Sequence, residues 1–296
     1  MMRVCLIGLG KTGSEVAKVL LEQEDIKLVA AVTRPGSSKV GKDLGEIIGC
    51  RDTGIVVDSA DRIEEMVFKA KPDVAIDFSK PEATVRNAVI LSKMKVNMVI
   101  ATTGFSEFSV KRLFILTKKY RNGIVYAPNI TLGVNVMMLL TNIASSILSN
   151  YDFQVSEEHH NKKKDIPSGT AIKIAREIER GLKFAGRDAK YDTVPINAVR
   201  AGGIIGKHDV IIAGNEDMVE ISHQSFSRKA FASGALRAVR FVYKKVGFFE
   251  MSDVLNLNKI LNNYIETDKI RQSKRRMFLK DMSGRNVEHK TETISN

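Results

Sequence analysis

Hydrophobic positions in the first 130 residues alternate between short continuous runs and helical stripes. The continuous runs predict buried strands over 3–7, 26–32, 73–78, 96–101 and 124–127. The stripes between them predict helices over 11–22, 81–94 and 106–120. Pro81 suits a first helical turn, and Ser106 suits an N-cap. Strands separated by helices of about 10–15 residues are typical of βαβ units, so we predict an α/β fold with an N-terminal parallel sheet.

The pattern changes after Pro128, where strands begin to follow one another. Helices are predicted over 132–148 and 168–182, with a strand over 152–158 between them. Three further strands are predicted over 195–200, 204–213 and 218–223. This succession indicates a mixed or antiparallel sheet, and therefore a C-terminal domain of α+β type. Two closing helices are predicted over 230–244 and 252–265.

The composition is that of an ordinary globular protein. Of the 296 residues, 44% are hydrophobic and 27% are charged, which excludes wholesale disorder. No apolar run approaches the roughly 20 residues that span a bilayer, and the N-terminal run breaks into glycines too early for a secretion signal. Two cysteines, Cys5 and Cys50, suit a reducing compartment rather than a disulfide framework. We therefore expect a cytoplasmic protein without a membrane partner.

The net charge of +12 is distributed unevenly. Residues 269–296 hold eight Lys/Arg and three Asp/Glu, and we interpret residues 267–296, which lack an apolar period, as a basic, disordered tail. Such an excess of positive charge can serve nucleic acid, a membrane surface or an anionic small molecule. The chain has no tryptophan, 6% aromatic residues and no helix-turn-helix or zinc signature, which argues against a nucleic-acid partner.

A glycine-rich turn joins the first predicted strand to the first helix. It fits G-x-G-x-x-G and consists of Gly8, Leu9, Gly10, Lys11, Thr12 and Gly13. The first glycine permits a tight turn, the second lets the backbone approach a pyrophosphate, and the third lets helix and strand pack closely. The helix N-terminus adds free N–H groups and a positive dipole end. A glycine turn without a ligand is the alternative, but the strand–turn–helix context favours dinucleotide binding.

The end of the second predicted strand bears on which dinucleotide binds. An acidic residue about 20 positions beyond the turn would bind the ribose 2′-hydroxyl of NAD. That position is Thr33, and Arg34 follows it. A hydroxyl and a guanidinium suit a 2′-phosphate better than a free diol, so we predict NADPH as the cofactor, with NADH as a possible substitute. The alternative is that Arg34 is only a solvated turn residue.

The segment richest in chemistry is VSEEHHNKKKDIPSGTA, residues 155–171. A strand ends in His159 and His160, where one ring can face a cleft while the other braces it. Three lysines follow, and Ser168 opens a helix whose N–H groups can bind an anion. We interpret the segment as an anion-binding site with proton donors beside it, although each feature alone has a plain structural explanation. Without further cysteines or a third well-placed histidine, no metal site is expected.

At these residues the chain resembles the dihydrodipicolinate reductase family. The family signature H-H-x-x-K-x-D-x-P-S-G-T is matched at His159, His160, Lys163, Asp165, Pro167, Ser168, Gly169 and Thr170. ATTGF at 101–105 resembles the family's G-T-T-G-F cofactor loop, and APNITLGVNVM at 127–137 resembles the stretch where its two domains join. RAGGIIGKHDV at 200–210 and SRKAFASGA at 227–235 resemble later blocks. The resemblance covers roughly residues 3–262.

The resemblance implies a domain organisation and a reaction. It implies a Rossmann-type dinucleotide-binding domain over 1–128 with a returning helix at about 246–265. A substrate-binding and oligomerisation domain would span 129–245. The implied reaction is hydride transfer from NAD(P)H to 4-hydroxy-tetrahydrodipicolinate, a cyclic unsaturated imine dicarboxylate, in lysine and diaminopimelate biosynthesis. The implied assembly is a homotetramer.

The resemblance also implies roles for individual residues. His159 and Lys163 would act in proton donation, and the substrate would be bound by His160, Ser168, Gly169 and Thr170. The cofactor would contact the glycine turn, Thr33 and Arg34, together with Ala101, Thr102, Thr103, Ala127, Pro128, Asn129 and Ile130. Reduction of a conjugated imine needs a positioned acid, for which histidine is suited. Two substrate carboxylates would account for the dense positive charge.

Two departures and two alternatives accompany the resemblance. The family's glycine turn usually reads G-x-x-G-x-M-G, and many members carry an acidic residue where this chain has Thr33; both departures concern cofactor choice. A related amino-acid dehydrogenase or imine reductase of amine catabolism would share the dinucleotide-binding half but should lack the full signature. A catalytically inactive cofactor sensor is the other alternative, and the presence of His159 and Lys163 argues against it.

Overall fold

The computed structural model describes residues 1–257, 259–264, 266, 267, 269 and 271–273. Residues 1–254 form one compact unit, and the chain from residue 255 onward forms another. The strands of the first unit are β1 (Met2–Ile7), β2 (Ile26–Thr33), β3 (Asp58–Ser59), β4 (Val74–Asp77), β5 (Asn97–Ile100), β6 (Gly123–Tyr126), β7 (Asp152–His159), β8 (Ile196–Arg200), β9 (Lys207–Ala213), β10 (Met218–Gln224) and β11 (Gly247–Glu250). The helices are α1 (Lys11–Leu21), α2 (Leu44–Ile48), α3 (Ile63–Ala70), α4 (Pro81–Lys93), α5 (Glu107–Tyr120), α6 (Leu132–Ile147), α7 (Gly169–Phe184), α8 (Lys229–Val242) and α9 (Met251–Leu255).

Seven strands form a parallel sheet in the order β11-β6-β5-β4-β1-β2-β3. The chain winds outward from β1 through β2 and β3 on one side, and through β4, β5 and β6 on the other. The order therefore reverses between β1 and β4, and ligands of such sheets bind outside the carboxyl ends of the strands at this point. The predicted α/β fold with a Rossmann-type parallel sheet is confirmed.

Helices bury the apolar runs of this sheet. Helix α1 turns Val16, Ala17 and Leu20 into the core, at the spacing of one helical face. Strand β1 is buried from Val4 to Ile7, because helices cover both faces of a parallel sheet. Each such aliphatic side chain contributes about 1.5–3 kcal/mol when fully removed from water. The carboxyl ends of the strands are thus held on a rigid platform.

A second sheet has four strands in the order β10-β9-β7-β8, with one parallel pair, β7 and β8. This confirms the predicted mixed sheet. Residues alternate along β7, so that Phe153, Val155, Glu157 and His159 all lie on the buried face. Helices α6 and α7 pack against that face. A carboxylate and an imidazole therefore project from the same strand into a largely apolar layer.

The predicted returning helix over 246–265 is wrong at its beginning. Residues Gly247–Glu250 form strand β11, which pairs in parallel with β6 and extends the first sheet. Helix α9 begins only at Met251, and Asn256, with a φ of 57°, interrupts the helical backbone. A four-residue edge strand carries too little periodicity to be separated from a following helix by sequence alone.

Helix α8 also differs from the predicted organisation. It lies inside the segment 129–245 assigned to the second domain, yet it packs beside α1 against β4, β5 and β6. Asn97 of β5 donates its side-chain N–H groups to the carbonyl of Val242, at 2.6 Å, and to the carbonyl of Lys245, at 3.1 Å. The end of α8 is therefore fastened to the parallel sheet.

Three short elements between β2 and β4 were not predicted. They are α2, β3 and α3, of five, two and eight residues. Asp43 caps α2 by accepting a hydrogen bond from the N–H of Gly45 at 2.6 Å, and it also accepts from the N–H of Thr53 at 3.0 Å. The two-residue strand and the five-residue helix are too short for a clear hydrophobic period, whereas α3 carries one in Ile63, Met66 and Val67 that the prediction missed.

The predicted disordered tail over 267–296 lies mostly outside the described residues. Within it, residues 267, 269 and 271–273 are helical, and residues 274–296 are not described. Among the helices that the structure describes, none has the length and apolar character required to cross a membrane.

Candidate active site

A cleft of about 410 Å³ opens where the carboxyl ends of β1, β4 and β5 face the second sheet. It is lined by these predicted site residues: Gly10, Lys11, Thr12, Gly13, Ala101, Thr102, Thr103, Pro128, Asn129, Ile130, His159, His160, Lys163 and Thr170. The other predicted site residues do not line it: Gly8, Leu9, Thr33, Arg34, Ala127, Ser168 and Gly169. The fold therefore brings the glycine turn and the histidine–lysine segment to one place, although about 150 residues separate them in the chain.

The three glycines of the turn meet different demands. Gly8 has a φ of 96°, and a Cβ there would lie 2.6 Å from the carbonyl oxygen of Phe78. A Cβ on Gly13 would lie 1.9 Å from the carbonyl oxygen of Gly8. Gly10 has open space where a Cβ would stand, and no side chain caps the N-terminus of α1. The turn thus leaves its backbone and a helix N-terminus accessible, which fits the diphosphate of a dinucleotide.

The end of β2 lies beside the glycine turn, since the N–H of Gly8 donates to the carbonyl of Val32 at 2.8 Å. Thr33 is buried there and Arg34 is exposed. Lys39 donates from Nζ to the carbonyl of Leu9 and so places a second cation near the turn. Sequence analysis did not select Lys39, because it lies in the loop after β2, where spacing carries no signal.

A buried carboxyl group supports the loops that line the cleft at the ends of β4 and β5. Asp77 accepts hydrogen bonds from the Ser79 hydroxyl at 2.5 Å and from the Thr102 hydroxyl at 3.1 Å. The Thr102 hydroxyl also lies 3.2 Å from that of Thr84. Burial raises the pKa of Asp77, against the opposing effect of these hydrogen bonds. The cluster fixes Thr102 at the edge of the cleft, and sequence analysis did not select Asp77.

His159 ends β7 with its ring at the cleft and its Nδ1 atom turned inward. Nδ1 lies 3.1 Å from Oε2 of Glu157, two residues earlier on the same face of the strand. A Cβ on Gly206, which also lines the cleft, would stand 3.2 Å from Nε2. The two nitrogens therefore have distinct surroundings, a buried carboxylate for Nδ1 and the cleft lining for Nε2.

Glu157 lies beneath this ring and makes several polar contacts. Its Oε1 atom accepts from the backbone N–H of Ser168 at 2.9 Å and from the guanidinium of Arg200 at 2.9 Å. Burial alone raises the pKa of Glu157, but the contacts with His159, Ser168 and Arg200 outweigh it and bring the pKa below its ordinary value. Glu157 is therefore ionised at neutral pH.

His208 completes the buried cluster from the neighbouring strand β9. Its Cα is the register partner of Glu157, and its ring meets that of His159 edge to face, with 5.1 Å between centroids. Burial, followed by the charge of His159, lowers the pKa of His208 to about 3. The expectation that no third histidine is well placed is thus wrong. Ligand atoms of Glu157, His159 and His208 lie within 4.8 Å of one another, but Arg200 already supplies the cationic partner of the carboxylate.

His160 and Lys163 lie on the cleft beyond the end of β7. Burial, then the charges of Arg228 and Lys11, lower the pKa of His160. Lys163 donates from Nζ to Oδ2 of Asp165 at 2.8 Å. The prediction that only one of the adjacent histidines faces the cleft is wrong, because both line it. Glu157 and His208, not His160, brace the ring of His159.

Helix α7 begins at the cleft and joins the two halves of the site. Ser168 is its N-cap, and its hydroxyl accepts from the N–H of Ala171 at 3.2 Å. The Thr170 hydroxyl donates to Oδ1 of Asn129 at 2.9 Å. Asn129 lies in the segment after β6, so the predicted substrate-binding and cofactor-binding residues are in direct contact here. Gly169 is exposed at the start of the helix.

The cleft is electrically one-sided. Among the described residues that line it, Lys11, Lys163 and Arg228 are basic, four are histidines, and none is Asp or Glu. His223 is one of these histidines, and burial lowers its pKa. Such a lining attracts anions, most strongly a small molecule with more than one carboxylate or phosphate.

Comparisons with known proteins agree with this geometry. The family model "Dihydrodipicolinate reductase, N-terminus" matches residues 2–130, and "Dihydrodipicolinate reductase, C-terminus" matches residues 133–255. The 4-hydroxy-tetrahydrodipicolinate reductase of Methanocaldococcus jannaschii is 37% identical over 272 residues, which cover 88% of this chain and 99% of that protein.

Solved structures give the same result. A dipicolinate-bound dihydrodipicolinate reductase from Paenisporosarcina sp. TG-14 is similar with a TM-score of 0.69 and 26% identity, over 84% of this chain and 97% of that one. An amine dehydrogenase from Mycobacterium smegmatis has a TM-score of 0.56 at 16% identity, over 84% of this chain and 94% of that one, which shows a shared fold alone. Both family models and a relative above 30% identity span most of the sequence, and the chain belongs to the dihydrodipicolinate reductase family.

Proposed function

We propose that the chain is a 4-hydroxy-tetrahydrodipicolinate reductase. It reduces the cyclic, unsaturated imine dicarboxylate that 4-hydroxy-tetrahydrodipicolinate gives on loss of water, and the product is tetrahydrodipicolinate, in lysine and diaminopimelate biosynthesis. The observation that carries this proposal is the cleft itself, where a dinucleotide-type glycine turn faces His159, His160 and Lys163 among basic side chains, with no carboxylate among the described residues that line it. Membership of the reductase family supports the same reaction.

The glycine turn holds the diphosphate of a pyridine nucleotide, which supplies the hydride when it is bound. Gly10 allows the backbone to approach the diphosphate, and the uncapped N-terminus of α1 offers N–H groups to it. The loops at 101–103 and 128–130 line the cleft and would hold the remainder of the cofactor. The buried Asp77 network keeps Thr102 in place during binding.

The substrate carboxylates bind at the start of α7 and the end of β7. Ser168, Gly169 and Thr170 present the first turn of α7, where backbone N–H groups and the helix dipole favour an anion. His160 and Lys163 add donors from the other side. For Lys163 to grip a carboxylate of the substrate, it exchanges its present contact with Asp165 for one with the ligand.

His159 donates the proton. Hydride addition at one end of the C=C–C=N system leaves negative charge at the other end, and a positioned acid must neutralise it. Nε2 of His159 is the proton-bearing atom nearest the cleft lining, since Nδ1 is turned toward Glu157. Lys163 stabilises the developing negative charge and assists the proton transfer.

NADPH is the preferred cofactor in this proposal. Arg34 and Lys39 flank the end of β2 beside the glycine turn, and their charges complement a 2′-phosphate. We expect Arg34→Ala to lower kcat/KM for NADPH by at least tenfold and to leave that for NADH within about twofold. Lys27→Ala, at the opposite end of β2, is the control. A tenfold higher kcat/KM with NADH than with NADPH in the unmodified protein would refute the preference.

We also propose a homotetramer located in the cytoplasm. Family resemblance supports the assembly, and two free cysteines, Cys5 buried and Cys50 exposed, fit a reducing compartment. Light scattering coupled to size-exclusion chromatography tests the assembly, and a monomer at micromolar concentration would contradict it.

The reaction is tested by oxidation of NADPH in the presence of freshly made product of a dihydrodipicolinate synthase. We expect rapid loss of absorbance at 340 nm with this substrate, and no gain of absorbance with NADP⁺ plus meso-diaminopimelate. The reverse result would favour the amino-acid dehydrogenase alternative. Within the same assay, His159→Gln and Lys163→Ala should each lower kcat at least tenfold while cofactor binding persists. Lys164→Ala, an exposed neighbour, should leave kcat unchanged.

A further inference from the structure

We propose that Glu157 is a positioning residue that orients the His159 ring for proton donation and places a carboxylate beside its Nδ1 atom. The proposal rests on the function proposed for His159, and it adds a partner that the histidine–lysine signature does not contain. Glu157 and His159 lie two residues apart on the buried face of β7, so the strand itself brings their side chains together.

The first argument is the pairing of two buried atoms. Nδ1 of His159 lies 3.1 Å from Oε2 of Glu157, an ion-pair distance, and in the described part of the chain neither buried atom forms a hydrogen bond. An ionised carboxylate can only accept, so this contact favours a proton on Nδ1. Protonation of the ring then places the second proton on Nε2, beside Gly206 at the cleft. The contact thereby selects the ring orientation that donation requires.

The second argument is that Glu157 is itself fixed. Its side chain is fully buried, and Oε1 is held by the Arg200 guanidinium and by the N–H of Ser168, both at 2.9 Å. Arg200 is anchored in turn, because it also donates to the carbonyl of Asp165 at 2.6 Å. A carboxylate held by a guanidinium and a helix N-terminus cannot rotate away from His159. The proposed acid, His159, is therefore held in place by Glu157, which Arg200 and the N–H of Ser168 hold in turn.

The third argument is the balance of charge around the ring. His208 meets the ring directly, the charges of His159 and His160 act on each other at the end of β7, and Lys163 acts on His160 and His208. His223 acts on His208 from β10, while Lys11 and Arg228 act on His160 from farther along the cleft. All of these groups are neutral or positive, and Asp165 pairs with Lys163. Within the described residues that contact His159, Glu157 is the carboxylate, and it is therefore the counter-charge that the ring meets during proton donation.

Glu158 provides a matched control for Glu157. It is the next residue of β7 and therefore points to the opposite face of the sheet, where it lies 3.5 Å from Lys207. The substitutions Glu157→Gln and Glu158→Gln each remove one carboxylate from the same strand and keep the shape of the side chain. Only Glu157→Gln removes the charge that contacts His159.

The experiment compares the unmodified protein with Glu157→Gln, Glu157→Asp and Glu158→Gln. It measures kcat, KM for the dicarboxylate and the pH dependence of kcat, with cofactor binding as the check of folding. We expect Glu157→Gln to lower kcat at least tenfold and to change KM less than threefold. The alkaline limb of its pH profile should move to lower pH by about one unit, because the imidazolium loses its counter-charge. Glu157→Asp should move the limb in the same direction by less, and Glu158→Gln should match the unmodified protein.

Two results would overturn the inference: an unchanged kcat in a folded Glu157→Gln variant, or a reduced kcat with an unmoved alkaline limb, which indicates a structural role only. If Glu157→Gln fails to bind cofactor, Glu157→Asp decides, and an unmoved limb there overturns the inference as well. His159→Gln in the same series separates the two proposals. A normal kcat of His159→Gln contradicts the proposed role of His159. A reduced kcat of His159→Gln together with a normal kcat of Glu157→Gln contradicts only the role of Glu157.

Discussion

The buried histidine of the cluster should make the folded state sensitive to mild acid. His208 is 5% exposed and lies against the rings and carboxylate of its neighbours. Burial, followed by the charge of His159, lowers its pKa from 6.5 to about 3. In the unfolded chain the same ring has its ordinary pKa near 6.5. The two states therefore bind different numbers of protons over the intervening pH range.

Whether stability rises or falls with pH depends on whether the folded or the unfolded state binds the proton at the higher pH. Below pH 6.5 the unfolded chain protonates His208, whereas the folded protein does so only near pH 3, so stability is lost as pH falls through this window. Between pH 7 and pH 5 the linked loss is about 2 kcal/mol for this one group. Because pH 5 lies well above the pKa of His208 in the folded protein, the loss of free energy of unfolding depends mainly on the pKa of His208 in the unfolded chain.

The assay is urea unfolding at pH 7 and at pH 5, at one protein concentration, for the unmodified protein and His208→Gln. Glutamine keeps a nitrogen donor near the Ser168 hydroxyl, which lies 3.4 Å from Nε2 of His208, but it does not titrate. We expect the variant to lose about 2 kcal/mol less than the unmodified protein between the two pH values. His160→Gln, with a more exposed ring, should reduce the loss by a smaller amount.

One outcome would refute this reasoning. If the unmodified protein and His208→Gln lose the same free energy of unfolding between pH 7 and pH 5, His208 binds protons equally in both states. The ring would then not be buried beside His159 and Glu157 as the structure describes. The arrangement on which the role of Glu157 depends would fail with it.

Two further predictions concern backbone positions at the cleft. Gly13→Ala should lower the free energy of unfolding by about 2 kcal/mol or more, since its Cβ would overlap the Gly8 carbonyl. Gly10→Ala should keep the stability, having open space there, but weaken cofactor binding at least tenfold in fluorescence titration; equal stability of both variants would contradict this. Ser168→Ala and Ser106→Ala should each cost about 1 kcal/mol through loss of an N-cap. Only Ser168→Ala should also raise KM for the dicarboxylate, and a raised KM in both would argue against a substrate role for the α7 N-terminus.

Local patterns in the sequence were sufficient to predict most of the fold. The apolar runs of the first half and their glycine and proline boundaries predicted the strands of the parallel sheet within about two residues. Ser106 and Ser168 both cap helices as their side-chain type predicts. The errors lie in elements of five residues or fewer, as in β11, in the eight-residue helix α3, which was missed, and where packing overrides sequence neighbourhood, as in α8.

The site was predicted less completely, for a physical reason. His159, His160 and Lys163 form a local motif, and their recognition needed no knowledge of the fold. The contacts of His159 with Glu157 and His208 depend on strand parity and on the register between β7 and β9. Parity was available, because residues two apart in an alternating strand share a face. The register between β7 and β9 could not be predicted from the sequence, since it arises only when the two strands pair.

The position of charges, rather than their number, supports the proposed preference for a doubly anionic ligand. The net charge of +12 includes a basic segment, residues 269–296, most of which lies outside the described residues and so does not enter the description of the cleft. Three basic side chains and four histidines line the cleft, while the carboxylate of Glu157 is withdrawn beneath it and neutralised by Arg200. In the proposed reaction, the cleft presents positive charge to the ligand, while the carboxylate that contacts the proposed acid, His159, is buried. One strand can provide both features because β7 ends at the cleft with His159 and buries the side chain of Glu157, two residues earlier.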